Sequence, residues 1–261
     1  MFSKKVLIVI LSVFLLSGCA KTKLDNTWLE KANIIDLTYN LNEKNPYWPG
    51  AGYFPFKMTI IAGYEKDGVL SEAYSTPIHL GTHFDAPAHF EKGQLTVDKL
   101  DAKKLFGDGI LIDIEKKCDK NPDYLLTVQD ITDWETTNGT IPPESIVLLK
   151  TGWSKYWNDY EKYKNADKEG NLHFPAFSKE SVEFLVNQRN IKGVGIDNLS
   201  GDYGLSKDFP VHHTLMKAGK FILENLANLD KLPAKGFFLI IAPLKIENAS
   251  GSQARIFAVI Q

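Results

Sequence analysis

The sequence predicts a single α+β domain with a mixed, barrel-like β-sheet core and peripheral helices. Its 261 residues are 44% hydrophobic and 24% charged, which is the composition of one globular domain with a substantial core. Segments with strand character outnumber helical segments and are irregularly spaced, so a regular alternation of strands and helices is not expected. The net charge of −2 gives no indication of nucleic-acid binding.

The first segment has the features of an export signal. Lys4 and Lys5 precede an apolar run at residues 6–16, which is too short to span a membrane as a permanent helix. The run ends in Leu-Ser-Gly-Cys, which resembles the bacterial lipobox, in which the cysteine is lipidated after cleavage. An uncleaved anchor, or a plain signal with an incidental cysteine, is the alternative. The protein is therefore expected to be exported and anchored to the bacterial membrane by acyl chains at Cys19.

This signal sets the expected domain boundaries. The predicted segments are a lipoprotein signal peptide at 1–18, a lipidated tether at 19–32 and a globular domain at 33–261. Once Cys19 is lipidated, Cys118 is the remaining cysteine, and no internal disulfide can form. The hydrophobic core must then hold the fold, although the protein is exported.

Apolar runs with strand character recur along the predicted domain. They lie at residues 34–41, 56–62, 74–80, 110–114, 146–150, 194–196, 237–241 and 256–260. Two segments, 127–134 and 178–189, have helical character, with Thr127 and Ser178 as candidate N-caps. Residues 165–171 form a polar, glycine-containing loop between them.

Eleven residues in the middle of the chain contain a dense group of side chains that bind metal ions. Residues 79–89, His-Leu-Gly-Thr-His-Phe-Asp-Ala-Pro-Ala-His, contain three of the six histidines and a carboxylate. Imidazole nitrogens and carboxylate oxygens bind zinc, manganese or iron, and such an ion activates water at neutral pH. Three surface histidines in a loop are the alternative, but clustered His and Asp residues favour a metal site.

The geometry of this cluster requires a bend in the chain. In an α-helix Asp85 would lie roughly 120° around the axis from His79 and His83. A regular strand would separate His79 from His83 by roughly 13 Å, which is too far for two ligands of one ion. We therefore expect a strand that ends near His79, a bend at Gly81, and a loop stiffened by Pro87 that returns the other ligand-type side chains to one point.

The rest of the chain offers few further ligands. His212 and His213 lie in an apolar segment that is followed by Glu224. A carboxylate in such a setting needs a partner, because an unpaired buried charge is costly. A capping or surface role is the alternative for Glu224. His173 lies in a polar loop, where no functional role is expected.

Residues 79–90 match the signature H-x-G-T-H-x-D-x-P-x-H-F of the cyclase family, which includes bacterial kynurenine formamidases and metal-dependent isatin hydrolases. Weaker matches extend over most of the domain, at residues 47–50, 151–153, 195–197 and 212–226. The resemblance implies the cyclase-family fold, of the swivelling β/β/α type, for residues 33–261. It also implies a metal-dependent hydrolase that assembles as a homodimer or a higher homo-oligomer.

The resemblance further implies a metal centre. His79, His83 and Asp85 match metal ligands of the family, and Asp85 is able to bridge two ions in dinuclear members. His212 and Glu224 occupy the places of the distal ligands of the formamidases. One or two ions are expected, and mixed histidine and carboxylate ligands accommodate either Zn²⁺ or Mn²⁺.

The resemblance also implies the reaction. His89 matches the acid–base histidine of the family, and Trp48 matches the aromatic residue that contacts substrate. The expected chemistry is hydrolysis of an amide bond in an N-formyl arylamine or a small cyclic amide, with hydroxide as nucleophile and His89 as general acid/base. The chain departs from the formamidases at residues 51–53, where Ala-Gly-Tyr replaces Asp-Thr-Pro, and in its export signal.

Two other classes of protein share parts of this pattern. A non-haem iron oxygenase would use His83, Asp85 and a distal histidine as a facial triad, but this leaves His79 and His89 without a role. A non-catalytic metal- or solute-binding lipoprotein suits the expected location. Such a protein gains nothing from an additional histidine beside the ligands, and no two-lobed organisation is visible in the sequence.

Overall fold

Seven strands close into a barrel in a computed structural model that describes residues 30–260. The strands are β1 (Asn33–Asp36), β2 (Lys57–Ala62), β3 (Ser71–Ser75), β4 (His83–Asp85), β5 (Phe106–Asp113), β6 (Leu125–Leu126), β7 (Ile146–Lys150), β8 (Ala176–Phe177), β9 (Gly193–Ile196), β10 (Phe221–Glu224), β11 (Lys235–Pro243) and β12 (Gly251–Ile260). The helices are α1 (Tyr64–Asp67), α2 (Glu115–Cys118), α3 (Val128–Asn138), α4 (Tyr160–Lys164), α5 (Lys179–Arg189) and α6 (Pro210–Lys217).

The order around the barrel is β12, β11, β5, β7, β9, β10 and β4, and β4 pairs back with β12 to close the ring. β1 pairs with β12 on the same side as β4. β2 and β3 form a separate two-stranded ribbon, and β6 pairs with β8. The predicted α+β domain with a mixed, barrel-like sheet is therefore confirmed.

Half of the barrel is parallel. β5, β7, β9 and β10 pair in parallel, with α3, α5 and α6 in the connections between them. The expectation that the chain lacks strand–helix alternation was wrong for this half, because the short helix α6 left no clear periodic signal. The other pairings of the barrel are antiparallel.

The core has two layers, one on each face of the barrel wall. In β7, Ile146 and Leu148 point into the barrel, where Leu223 and Leu239 are also buried. The alternate residues of β7 pack outside the barrel against α3, α5 and α6. A fully buried side chain of this kind contributes about 1.5–3 kcal/mol, so the continuous runs of such residues stabilise both faces.

The two longer helices, α3 and α5, begin at the N-cap residues that the sequence predicts. Thr127 caps α3 by accepting from the Asp130 backbone N–H, and the Asp130 side chain accepts from the Thr127 N–H in return, which completes a capping box. The Ser178 side chain caps α5 in the same position. No helix within residues 30–260 is long and apolar enough to cross a membrane. The predicted signal peptide and Cys19 lie outside the described residues, whereas Cys118 is a buried free thiol.

Candidate active site

The short strand β4 carries two of the predicted ligands. It lies between β10 and β12, so that His83 is the register partner of both Glu224 and Gln253. Its middle residue, Phe84, points into the barrel core, and His83 and Asp85 therefore share the opposite face. The predicted strand ending near His79 was wrong: β3 ends at residue 75, and the segment from His83 to Asp85, expected as a loop, is a strand.

The predicted bend at Gly81 is present. Gly81 has φ +70°, and a Cβ at this position would lie 2.6 Å from the Leu41 side chain, so a larger residue would be strained. Its carbonyl oxygen lies 2.8 Å from Nδ1 of His83 and accepts a hydrogen bond from that nitrogen. This bond leaves Nε2 of His83 to face the carboxylates.

The structure brings the five predicted metal ligands together. Oδ1 of Asp85 lies 2.5 Å from Nδ1 of His79 and 3.2 Å from Nε2 of His83. Nε2 of His212 lies 3.4 Å from Oδ2 of Asp85 and 3.4 Å from Oε1 of Glu224. Oε2 of Glu224 is also 3.4 Å from Nε2 of His83. Residues that are up to 145 positions apart in sequence thus form one cluster.

The donor atoms of this cluster fit a divalent metal ion. Nε2 of His83 and Oδ2 of Asp85 are buried and have no hydrogen-bond partner. Buried polar atoms are normally satisfied, and leaving them unpaired is costly. Nitrogen and carboxylate oxygen atoms that converge in this way are the ligands of zinc and manganese sites, so an ion would satisfy these atoms.

The electrostatics of the cluster also favour a cation. Burial opposes protonation of His83, but Asp85 and Glu224 outweigh it and raise the pKa of His83 to about 10. The pKa of His212 is likewise raised well above its usual range by Asp202, Asp85 and Glu224 against the effect of burial. Burial alone would raise the pKa of Asp85, yet the neighbouring histidines hold it well below its usual range. The carboxylates therefore make this position attractive to positive charge.

Asp202 holds His212 in place, and sequence reasoning missed it. Its carboxylate accepts from the backbone N–H groups of Val211 (2.8 Å) and His212 (3.0 Å) at the start of α6. Oδ2 also lies 2.6 Å from Nδ1 of His212. The ring is thereby oriented with Nε2 toward Asp85, as outer carboxylates orient metal-bound histidines. No local sequence pattern marked Asp202, because its partners are defined by the tertiary fold.

His89 lies beside the cluster. It ends the 3-10 turn that begins at Pro87, and its ring stacks on that of His79 with centroids 3.7 Å apart. Burial lowers the pKa of His89 to about 4. The imidazole is therefore neutral near pH 7 and able to accept a proton.

An aromatic cavity of about 110 Å³ opens onto these residues. Trp48, Tyr53, Phe90 and Phe209 form its walls, and His89 and Glu224 are among the polar groups that reach it. None of the residues that line this cavity in the described part of the chain is a lysine or an arginine. Trp48, which matches the substrate-contacting aromatic residue of the family, thus lines this cavity together with Phe90.

Other aromatic and histidine residues lie elsewhere. Trp153 packs with Trp157 in a cluster that Trp48 also contacts, but Trp153 itself does not line the cavity, and Phe84 packs inside the barrel. A larger cavity of about 280 Å³ lies beside Trp153, but no predicted site residue lines it. His173 pairs with Asp123 at 2.8 Å, outside the site, as its polar loop suggested.

The sequence is similar to proteins of known activity. Residues 35–203 match the Cyclase family model. An isatin hydrolase of Roseibium aggregatum is 38% identical over 216 residues, which cover 77% of this chain and 79% of the relative. A kynurenine formamidase of Bacillus cereus is 28% identical over 222 residues, which cover 85% and 94%.

Solved structures agree as well. A crystal structure of an isatin hydrolase bound to the product analogue thioisatinate superposes with a TM-score of 0.84. The two sequences are 32% identical, and the superposition covers 90% of this chain and 95% of that one. From the family match, the relatives and the shared fold, we conclude that this chain is a member of the cyclase family.

Proposed function

We propose that this protein is a metal-dependent amide hydrolase that opens a small cyclic aryl amide of the isatin type. The observation that carries the proposal is the buried cluster around Asp85, with unpaired donor atoms, at an aromatic cavity. Similarity to an isatin hydrolase and to a kynurenine formamidase supports the reaction class, hydrolysis of C–N bonds outside peptides.

The metal centre would be held by the clustered side chains. His79, His83 and Asp85 provide three ligands within 4.8 Å of one another, and His212 and Glu224 complete the site on the far side of Asp85. The carboxylate of Asp85 reaches both groups of nitrogens, which suits one or two ions, and the mixed donors suit Zn²⁺ or Mn²⁺. When bound, such an ion supplies Lewis acidity to a water molecule and to the amide carbonyl.

His89 would move the proton. Its neutral imidazole is able to take a proton from the attacking water and to deliver it to the leaving nitrogen. Its ring stacks on that of His79, and one of its nitrogens lies within 4.8 Å of donor atoms of Asp85 and His212. Such a group typically contributes about 10²- to 10⁴-fold to the rate.

The cavity walls favour a flat, uncharged aromatic substrate. Trp48 and Phe209 lie with ring centroids 6.2 Å apart, and Phe90 is 5.3 Å from Phe209. An amino-acid substrate carries a carboxylate, which would need a cationic partner, and no lysine or arginine among residues 30–260 lines this cavity. An isatin-like ring requires only the aromatic walls and the polar groups at the cluster.

We also propose that the enzyme acts outside the cytoplasm as a homodimer or larger homo-oligomer. The signal at residues 1–18 and the tether at 19–32 would leave the domain at 33–261 anchored through Cys19. The variant Cys19→Ser should release the protein from membranes or leave it unprocessed. Mass spectrometry that finds the intact Met1 terminus in the wild type would contradict this part of the proposal.

Metal analysis combined with a substrate panel tests the proposed reaction. We expect the purified protein to contain a divalent metal and to hydrolyse isatins faster than N-formyl arylamines or lactams. Chelator should abolish turnover, and added zinc or manganese should restore it. His212→Ala should lose metal and activity. The adjacent residue His213 is exposed, and His213→Ala, the matched control, should keep both.

The same panel separates the alternatives. Metal binding without hydrolysis of any amide would indicate a binding protein. Oxygen consumption with added iron would indicate an oxygenase.

A further inference from the structure

The turn that carries His79 and leads to His83 is not held by regular secondary structure. Residues 76–82 lie between β3 and β4 and belong to no strand or helix. Within residues 30–260, no backbone–backbone hydrogen bond outside the helices and strands involves residues 76–81. The turn is nevertheless tight, because the two imidazole rings lie with centroids 5.4 Å apart. Its shape therefore depends on side chains from other segments.

Gln253 holds the beginning of the turn. This residue of β12 is the register partner of His83, so the two side chains share one face of the barrel wall. Nε2 of Gln253 donates to the carbonyl oxygens of Pro77 and Ile78, both at 2.8 Å. Carbonyl oxygens only accept hydrogen bonds, so the amide nitrogen is the group that faces them. The two carbonyl groups directly before His79 are thereby fixed by one side chain.

Asn225, which directly follows Glu224, holds the end of the turn. Its Nδ2 donates to the carbonyl oxygen of Gly81 at 3.1 Å, and its Oδ1 accepts from the Tyr163 hydroxyl at 2.9 Å. A carbonyl oxygen has two lone pairs, and the Gly81 oxygen also accepts from Nδ1 of His83. Asn225 therefore fixes the acceptor that orients the His83 ring.

The backbone of Asn225 is bonded as well. This buried residue has φ +55°, in the left-handed region that asparagine tolerates. Its N–H donates to the carbonyl oxygen of Asn198 at 2.9 Å. Its own carbonyl oxygen accepts from the Thr82 hydroxyl at 2.6 Å. Both the backbone and the side chain of Asn225 thus connect the end of β10 to the turn before β4.

We propose that Asn225 and Gln253 are positioning residues, which together hold the turn so that His79 and His83 face the same metal ion. The inference rests on the metal centre of the proposed function. Loss of a group that orients a metal-bound histidine typically costs about 10- to 100-fold in metal affinity. Here the orienting acceptor is a backbone carbonyl, which no substitution removes. The two amide side chains are therefore the means by which the sequence sets the ligand geometry.

Asn228 provides a matched control for Asn225. It has φ +58°, and its Nδ2 donates to the backbone carbonyl oxygen of Asp36 at 2.7 Å, on β1. Glycine adopts positive φ without strain, so Asn225→Gly and Asn228→Gly both remove an amide donor and preserve the backbone conformation. For Gln253, methionine keeps a similar length and volume but has no donor.

Zinc affinity of the detergent-solubilised full chain tests the proposal. Asn225→Gly and Gln253→Met should each weaken Zn²⁺ binding by about 10- to 100-fold in competition with a chromogenic chelator. Asn228→Gly should bind Zn²⁺ as the wild type does. The absorption spectrum of bound Co²⁺ should change in the first two variants only, since it depends on the arrangement of the ligands.

Thermal unfolding separates positioning from a purely structural role. All three variants lose hydrogen bonds, so each should have a lower Tm than the wild type without metal. A fixed concentration of Zn²⁺ should raise the Tm of Asn228→Gly as much as that of the wild type. It should raise the Tm of Asn225→Gly and Gln253→Met by less, because stabilisation by a ligand follows its affinity.

Wild-type zinc affinity in either Asn225→Gly or Gln253→Met would overturn the proposal, as would an equal loss of affinity in Asn228→Gly. The measurements use the metal alone and need no substrate. If the wild type hydrolyses no amide but both variants still weaken zinc binding, the proposed function fails and the positioning role stands.

Discussion

Two buried aspartates in this molecule have opposite environments. Asp197 accepts hydrogen bonds from the backbone N–H groups of Thr151 (2.9 Å) and Gly152 (3.0 Å) and from the Thr151 hydroxyl (2.5 Å). Asp85 is equally buried, but its close polar contacts are with histidine side chains, and one of its oxygens has no hydrogen-bond partner. A buried carboxylate whose oxygens accept hydrogen bonds from the protein stabilises the fold. A buried carboxylate oxygen without such a partner is available to bind a ligand.

The largest effect is expected from the unsatisfied carboxylate. Asp85→Asn should lower kcat/KM more than about 10⁴-fold, because the shared ligand of the metal centre is lost. The metal-free variant should be less stable than the metal-free wild type near pH 7, because the histidines that hold the pKa of Asp85 well below its usual range lose a negatively charged partner. Steady-state kinetics, metal analysis and thermal unfolding check this. Substantial remaining turnover would contradict the role of Asp85.

The next effect separates proton transfer from metal binding. His89→Ala should lower kcat by about 10²- to 10⁴-fold, because the neutral imidazole beside the ligands is removed. Metal content should remain at the wild-type value, since the five other clustered side chains hold the ion. A ring nitrogen of His89 lies within 4.8 Å of donor atoms of Asp85 and His212, so a loss of metal would instead identify His89 as a ligand. If turnover stays near that of the wild type, the acid–base assignment is wrong.

Substitution of Asp197 should lower stability and leave turnover unchanged. Asp197→Ala should lower the free energy of unfolding by about 3 kcal/mol, because it leaves buried donors of Thr151 and Gly152 unpaired. Urea denaturation measures this, and kcat of the folded variant should be unchanged. The comparison fails if Asp85→Asn destabilises the metal-free protein more than Asp197→Ala does.

A smaller effect is expected from the carboxylate that orients His212. Asp202→Asn should weaken metal affinity by about 10- to 100-fold. The amide nitrogen cannot accept from Nδ1–H of His212 at the 2.6 Å contact that the carboxylate makes. Competition with a chromogenic chelator measures the affinity. Unaltered affinity, together with an unaltered cobalt spectrum, would show that Asp202 merely begins α6.

The smallest effect is the release of protons when the metal binds. The pKa of His83 is raised to about 10, so below that pH the imidazole of the metal-free protein is charged. Coordination requires the neutral ring, and metal binding at pH 7 should therefore release about one to two protons from His83 and His212. Calorimetry in buffers of different ionisation enthalpy counts them. The share of the release that comes from His83 should disappear as the pH rises above about 10.

Much of the site could be predicted because its central residues lie close together in the sequence. Three ligand-type residues and the bend at Gly81 lie within seven positions, so residue type and spacing were informative. His212 and Glu224 rested on family resemblance, since their approach to His83 depends on the pairing of β10 with β4. Strand register between distant segments leaves no trace in local composition.

The fold shows the same division between local and distant information. The strand at residues 146–150 and the caps at Thr127 and Ser178 follow from short-range patterns, and the structure contains them. β4 and β10 were not predicted, because their strand conformation depends on their pairing with each other and with β9 and β12. Residue propensity for strands is strongly dependent on such context.

The position of β4 has a consequence for how the protein matures. This strand pairs with residues 222–224 on one side and 251–253 on the other, so its ligands reach their final geometry only after nearly the whole chain has been synthesised. Contacts of such long sequence separation form late in folding. In a nascent chain the histidines and Asp85 are therefore not yet close to one another. The metal ion binds last, after the barrel has closed.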